Sequence, residues 1–182
     1  WCTYKYLNSG PGSLAGLFVH EKHSKNKDLP RFAGWWNHNK KTRFNMRQPF
    51  DVMDGAEGWQ LSNPPILSMA AIKASLDMFA EVGMENLRKK SEKLTGYFEF
   101  LINQIGSDDI KIITPSNPKE RGCQLSIQVK NADKSLHQKL TENNIITDWR
   151  EPDVIRCAPV PMYNSFEDVY RMVTILKELL NS

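Results

Sequence analysis

The sequence predicts a mixed α/β protein whose C-terminal part is a small α+β unit with helices on one face of a short-stranded sheet. Three observations carry that prediction. Apolar residues recur at spacings of three and four through two stretches between residues 63 and 105. Beyond Gly106, short apolar runs alternate with helical patterns, and residues 124–129 alternate apolar with polar. With 182 residues, 40% of them hydrophobic and 25% charged, the chain can bury a substantial core.

Residues 14–20 (Leu-Ala-Gly-Leu-Phe-Val-His) form a nearly continuous apolar run after a glycine turn, which predicts a buried strand. From residue 21 to about 58 the chain is polar, aperiodic and rich in tryptophan and asparagine. A loop of that length inside a domain is expected to be functional. Ser62-Asn63-Pro64-Pro65 reads as a helix entry, with Asn63 as N-cap and Pro64 at the first helical position. Met69, Ile72, Leu76 and Phe79 are the expected apolar stripe, and Gly83 the stop. A second helix is expected over 85–105, with Leu87, Leu94, Phe98, Leu101 and Ile105 facing inward and Gly106 ending it. Strands follow at 110–114 and 124–129, the latter turning Leu125, Ile127 and Val129 to one face. A short helix over 133–143 and strands at 145–147 and 154–158 come next. Ser165 opens the last helix with a capping box to Asp168, and Val169, Met172, Val173, Leu176 and Leu180 form its stripe.

The net charge is +3 with both signs interspersed, so no nucleic-acid footprint stands out. The basic positions between Lys22 and Arg47 (Lys25, Lys27, Arg31, Lys40, Lys41, Arg43) read as a solvated loop, with phosphate attraction as the lesser alternative. No run reaches the ~18 apolar residues of a membrane span, and no signal-peptide pattern occurs. Cys2, Cys123 and Cys157 are odd in number and widely spaced, which predicts reduced thiols in a cytoplasmic compartment. His20, His23, His38 and His137 lack ligand spacing, so no metal is expected. The chain opens on Trp1-Cys2, without methionine, and runs straight into a constrained segment. A natural terminus tends to be polar and loose, so a large N-terminal part is expected to precede it.

Four features carry chemistry. Lys5, between Tyr4 and Tyr6 and ahead of a turn-forming stretch, has the composition of an amine held in an apolar, rigid place. There its pKa can fall far enough for a Schiff base with an aldehyde cofactor. The plain alternative is a lysine laying its stem on a ring with its charge in water. Trp35-Trp36-Asn37-His38 puts two indoles in a polar loop, suited to a phosphate oxygen or a flat ligand, or else to anchoring the loop on the core. Asn63 caps a helix, or offers its amide where ligand polar groups bind. Arg156, mid-strand among apolar neighbours and prolines, requires a carboxylate partner, either an internal Asp or Glu or an amino-acid substrate. Arg121 and Arg150 are less constrained, and Arg150 has Glu151 and Asp153 beside it.

Together these segments resemble kynureninase, a pyridoxal-phosphate enzyme of the aspartate-aminotransferase fold type, over its C-terminal portion. The matching stretches are residues 1–12, residues 16–23 with Val19-His20-Glu21-Lys22-His23, and Gly34-Trp35-Trp36. Further matches are Ser62-Asn63-Pro64-Pro65-Ile66, Arg121-Gly122-Cys123-Gln124-Leu125, and residues 155–166, which open on Ile155-Arg156-Cys157-Ala158-Pro159. The resemblance implies that residues 1–82 are the end of a cofactor-binding large domain and 83–182 a small α+β domain. It implies that Lys5 binds the cofactor covalently and that Tyr4 hydrogen-bonds its phosphate. Trp35 and Asn63 would line the cofactor and substrate site, Arg156 would bind the substrate carboxylate, and Trp36 would lie near the substrate ring. Asparagine at position 63 inclines the family reading toward 3-hydroxykynurenine.

Two departures from the family pattern occur: Asn37 where glycine is usual, expected to keep a left-handed backbone, and Ser9 and Pro11 around the lysine turn, expected to stiffen it. The implied activity is hydrolytic Cβ–Cγ cleavage of L-kynurenine or 3-hydroxy-L-kynurenine in tryptophan catabolism, within a homodimer that shares its active sites. The acidic partner of the pyridine nitrogen, the ring-stacking aromatic and several phosphate ligands lie upstream of Lys5 in that family, so this segment alone is expected to be inactive. The alternatives are a related enzyme of the same fold, such as a cysteine desulfurase or an aminotransferase, and a non-catalytic dimerisation module.

Overall fold

A computed structural model describes residues 1–45 and 49–181; Arg47, the far end of the basic stretch, lies outside them. Contacts divide the chain into two units, Trp1–Glu81 and Val82–Ser182.

Aperiodic, polar sequence gives the first unit little regular structure. One antiparallel bridge joins Cys2 to Ala15, and another joins His38 to Val52. A four-residue helix, α1 (Glu21–Ser24), begins where His20 Nδ1 accepts the Lys22 amide. Single 3-10 turns form at Arg43–Asn45 and Ala56–Trp59. The strand expected over residues 14–20 does not form. Beyond the bridge at Ala15 its backbone has no ladder among the described residues, and Leu17 and Phe18 are 57% and 74% exposed. An apolar run becomes a strand only where another edge takes up its N–H and C=O groups.

Helix α2 (Ile66–Val82) starts two residues after Pro64, so Asn63 is not its N-cap. The steric demand of a following proline keeps both Asn63 and Pro64 out of the helical region. The first helical carbonyl is therefore that of Pro65, which accepts the Met69 amide at 3.0 Å. Gly83, at φ 81°, separates α2 from the next helix. The buried positions of α2 are Ser75 and Phe79, whereas the expected inward residues Met69 and Leu76 stay exposed.

The second unit follows the sequence pattern closely. Helix α3 (Met84–Gln104) buries Leu87, Leu94, Phe98 and Ile102 along one stripe, with Leu101 and Ile105 half-buried at its rim. Gly106, at φ 70°, lets the chain leave the helix. Strands β1 (Ile110–Ile112) and β2 (Leu125–Val129) precede helix α4 (Lys134–Glu142), capped by the Asp133 carboxylate on the Ser135 amide at 2.7 Å. Strands β3 (Asp148–Arg150) and β4 (Val154–Cys157) and helix α5 (Phe166–Leu180) complete the unit. The sheet is antiparallel throughout, in the order β1-β2-β4-β3. The strand expected at 145–147 forms three residues later, because Trp149 is the residue buried opposite Ile155.

Leu125, Ile127 and Ile155 from the sheet meet Leu94, Phe98, Leu140, Val173 and Leu176 from the helices in one core. Each fully buried aliphatic side chain there contributes about 1.5–3 kcal/mol. Ser165 and Asp168 form the capping box at the start of α5. The buried cation of this unit is Arg121, not the less constrained residue its sequence context suggested. Its side chain is 2% exposed, pairs with Glu99 at 2.7 Å and donates to the Pro115 carbonyl. No helix among the described residues is long and apolar enough to cross a membrane.

Candidate functional site

Lys5 sits at the tip of a turn tied by hydroxyl groups. Thr3, 4% exposed, donates its single hydroxyl proton to the Leu14 carbonyl. That fixes the direction of the chain behind it: Ser13 donates to Thr3 at 3.0 Å, and Ser9 donates to Ser13 at 2.7 Å. The Asn8 amide returns to the Lys5 carbonyl at 2.9 Å, with Asn8 itself in the left-handed region at φ 55°. Gly10 and Gly12 also carry positive φ, which an L side chain rarely adopts. From α2, Ser75 donates to the Leu7 carbonyl, so the turn is anchored to a helix.

The apolar setting expected for Lys5 is not formed within this unit. Lys5 is exposed, and Tyr4 and Tyr6 are 48% and 45% exposed. The Lys5 ammonium lies 5.5 Å from the centroid of the Tyr4 ring and has no ion pair among the described residues. The turn that carries Lys5 is tied by hydrogen bonds, and an amine that no carboxylate occupies fits an aldehyde cofactor. Asn8 Nδ2, buried beside the turn without a partner among the described residues, is a donor that an incoming oxygen would satisfy.

The indole loop is fixed by a close backbone approach. A Cβ on Gly34 would lie 2.2 Å from the Leu61 carbonyl oxygen, so only glycine passes there. The Trp36 amide donates to the same Leu61 carbonyl at 3.3 Å. This contact brings the Trp35 loop to the segment that carries Asn63 two residues later. Asn37 does not adopt the left-handed backbone expected of it. It is instead wholly buried, accepting the Gly34 amide at 2.8 Å and donating to the Phe32 carbonyl at 2.7 Å. Its side chain supplies the loop's missing backbone partners, which glycine could not do. Trp35 is 48% exposed with its ring against Phe44, while Trp36 is covered by the Arg43 guanidinium at 4.8 Å. Asn63 is exposed in the extended stretch before α2.

In the second unit, Arg156 on β4 has an internal partner. Its Nη2 donates to Asp148 Oδ2, and Arg150 Nη2 reaches the same oxygen at 3.0 Å. Arg150 is thus satisfied by Asp148 and not by Glu151 or Asp153. The hydrogen bond from Arg156, and then the charges of Arg156 and Arg150, hold the Asp148 carboxyl below the usual carboxylate range despite some desolvation. On the opposite face of β4, burial pushes the Cys157 thiol up to about 12, which makes it a poor nucleophile. All three cysteines are free thiols. Sequence reasoning singles out Ser9 beside the lysine turn but misses Thr3, Ser13 and Ser75; the small hydroxylic type is the one signal for Thr3 and Ser13, and Ser75, distant on α2, carries none.

Residues 87–176 match the family described as Kynureninase C-terminal domain. Over 97% of its length the chain is 55% identical to a kynureninase of Myxococcus xanthus, covering 42% of that protein. Over 98% of its length it is 54% identical to one of Flavobacterium psychrophilum, covering 43%. The chain therefore spans less than half the length of the relatives it matches. Its fold is similar to that of a cysteine desulfurase from Thermococcus onnurineus, at TM-score 0.68 and 14% identity over 90% of this chain and 42% of that one. It is also similar to a mutant of C-DES with glycine covalently linked to its PLP cofactor, at TM-score 0.63 and 18% identity over 82% of this chain and 38% of that one. At such identities the likeness carries the fold and nothing of the activity.

Proposed function

Because the chain belongs with the kynureninases, whose C-terminal domain it carries at residues 87–176, we propose that the full protein hydrolyses L-kynurenine or 3-hydroxy-L-kynurenine. Water adds to the γ-carbonyl, the Cβ–Cγ bond breaks, and anthranilate or 3-hydroxyanthranilate leaves with L-alanine. The observation that carries this reading is 54–55% identity to kynureninases over nearly the whole chain. The likeness to a cysteine desulfurase stands at 14% identity and carries the fold alone.

When bound, pyridoxal 5′-phosphate supplies an electron sink for the substrate's α-carbon. The residues here have distinct tasks around it. The Lys5 amine would hold the cofactor through its aldehyde, and its Nζ, when free, would be the base for the substrate's α-proton. The tethered turn, through Thr3, Ser13 and Ser75, keeps that amine in place. Tyr4 O–H and Trp35 Nε1–H are donors suited to the phosphate, and the Asn63 amide and the Trp36 ring meet the substrate side. Arg156 takes the substrate's carboxylate, which orients the bond to be broken. Residues 1–82 then form the end of the cofactor-binding domain and 83–182 the small domain. The remaining cofactor ligands come from the rest of the full protein, which works as a cytoplasmic homodimer with shared sites. Asparagine at position 63 favours the 3-hydroxylated substrate.

Borohydride reduction of the full-length holoprotein should leave a pyridoxyl label on Lys5, and Lys5→Ala should abolish both the label and kynurenine turnover. A label on another lysine, or turnover of cysteine with none of kynurenine, would overturn the reading.

A further inference from the structure

Asp148 stands directly across the sheet from Arg156, as its register partner between β3 and β4. One oxygen of this carboxylate receives both Arg156 and Arg150. The side chains of Arg156, Asp148 and Arg150 are 30%, 45% and 56% exposed. An ion pair that open to water adds little to folding stability. What it does fix is direction. A guanidinium is a planar fork whose value in binding a carboxylate depends on the angle at which it is held. Two guanidiniums on one carboxylate also leave one positive charge uncompensated, so the cluster still attracts a further anion.

We propose that Asp148 is the positioning residue for Arg156: it sets the guanidinium's orientation toward the substrate's α-carboxylate, while Arg150 keeps the cluster net positive. This rests on the reading of Arg156 as the carboxylate ligand. Asp148 itself touches neither substrate nor cofactor; it acts through Arg156. Strand register makes the arrangement stiff, because the Cα positions of Asp148 and Arg156 are locked by the β3–β4 ladder.

The test uses the full-length holoenzyme and two ligands, L-kynurenine and the amine that lacks its carboxylate. Asp148→Asn preserves size and should raise KM for L-kynurenine about tenfold, with kcat changed less than about twofold. The inhibition constant of the decarboxylated amine, the cofactor absorbance band and the thermal midpoint should all stay put. Asp148→Glu, which keeps the charge one methylene further out, should fall between wild type and Asp148→Asn. Should Asp148→Asn fail to fold, Asp148→Glu decides alone: an unchanged KM sinks the proposal. Equal weakening of both ligands, or a shifted absorbance band with KM unmoved, also overturns it. Arg156→Gln separates the two levels. If it leaves discrimination between amino acid and amine intact, the assignment of Arg156 fails. If it abolishes discrimination while Asp148→Asn does not, only the positioning role fails.

Discussion

Helices α2 and α5 are both apolar, yet one finds its partners within its own unit and the other does not. In α5, Val169, Met172, Val173 and Leu176 are all buried against α3, α4 and the sheet. In α2, Ile66 and Leu67 are 77% and 89% exposed, and Met69, Leu76 and Met78 remain open as well. The difference separates two kinds of stability. The second unit closes its own core, whereas the first keeps an apolar helix face and an exposed lysine turn whose order comes from hydrogen bonds. Apolar surface of that extent marks a place of association.

Two leucines put the contrast to its hardest test. Leu125 is fully buried and Leu67 almost fully exposed. Leu125→Ala should destabilise the second unit by about 2–5 kcal/mol, seen as a lower denaturation midpoint. Leu67→Ala in the same segment should change it by less than about 0.5 kcal/mol. In the full-length protein, Leu67→Ala should become costly, and continued neutrality there would show that nothing covers α2.

A middle-sized effect belongs to the ties of the lysine turn. Ser75→Ala removes the donor to the Leu7 carbonyl and leaves a part-buried acceptor unpaired, at a cost of about 1–3 kcal/mol. Because the loss falls on the turn, full-length protein carrying it should bind pyridoxal phosphate more weakly, while the second unit's unfolding stays unchanged. Equal loss in both units would erase the distinction between them.

How much of this was readable in the sequence follows the same division. Local signals survived: the capping box from Ser165 to Asp168, the alternation in 125–129, and the stops at Gly83 and Gly106 all depend on neighbours within a few residues. Signals that depend on a distant partner failed. The apolar run at 14–20 announced burial without saying what would bury it. Asn63 looked like a cap because proline at the first helical position is common, but two prolines in a row moved the start to Ile66. The residue type of Asn37 points to its backbone, but its side chain is what the loop uses. Arg121 looked free and Arg156 constrained, yet Arg121 is the more buried, because Glu99 lies 22 residues away on α3. Asp148 had no signal at all, since its role arises from a strand register that no short motif encodes.

The smallest effect is a pH dependence, and its sign is fixed by Asp148. The folded protein holds this carboxyl below its unfolded value, chiefly through the Arg156 hydrogen bond. Its contribution is therefore fully present above the unfolded pKa of about 3.9 and is lost as pH falls through the lower folded value. Above that window, stability should not respond to this group. Because both side chains are substantially exposed, solvent screens the pair and the stability change on acidification should be slight. Asp148→Asn should flatten that slight acid dependence of the second unit and leave the neutral-pH midpoint where it was. Replacing Asp168 instead should lower the midpoint at neutral pH by about 1 kcal/mol, because its carboxylate accepts the Ser165 amide at 2.8 Å and caps α5. The two carboxylates share a lowered pKa, but only the one built into a helix end should matter for folding.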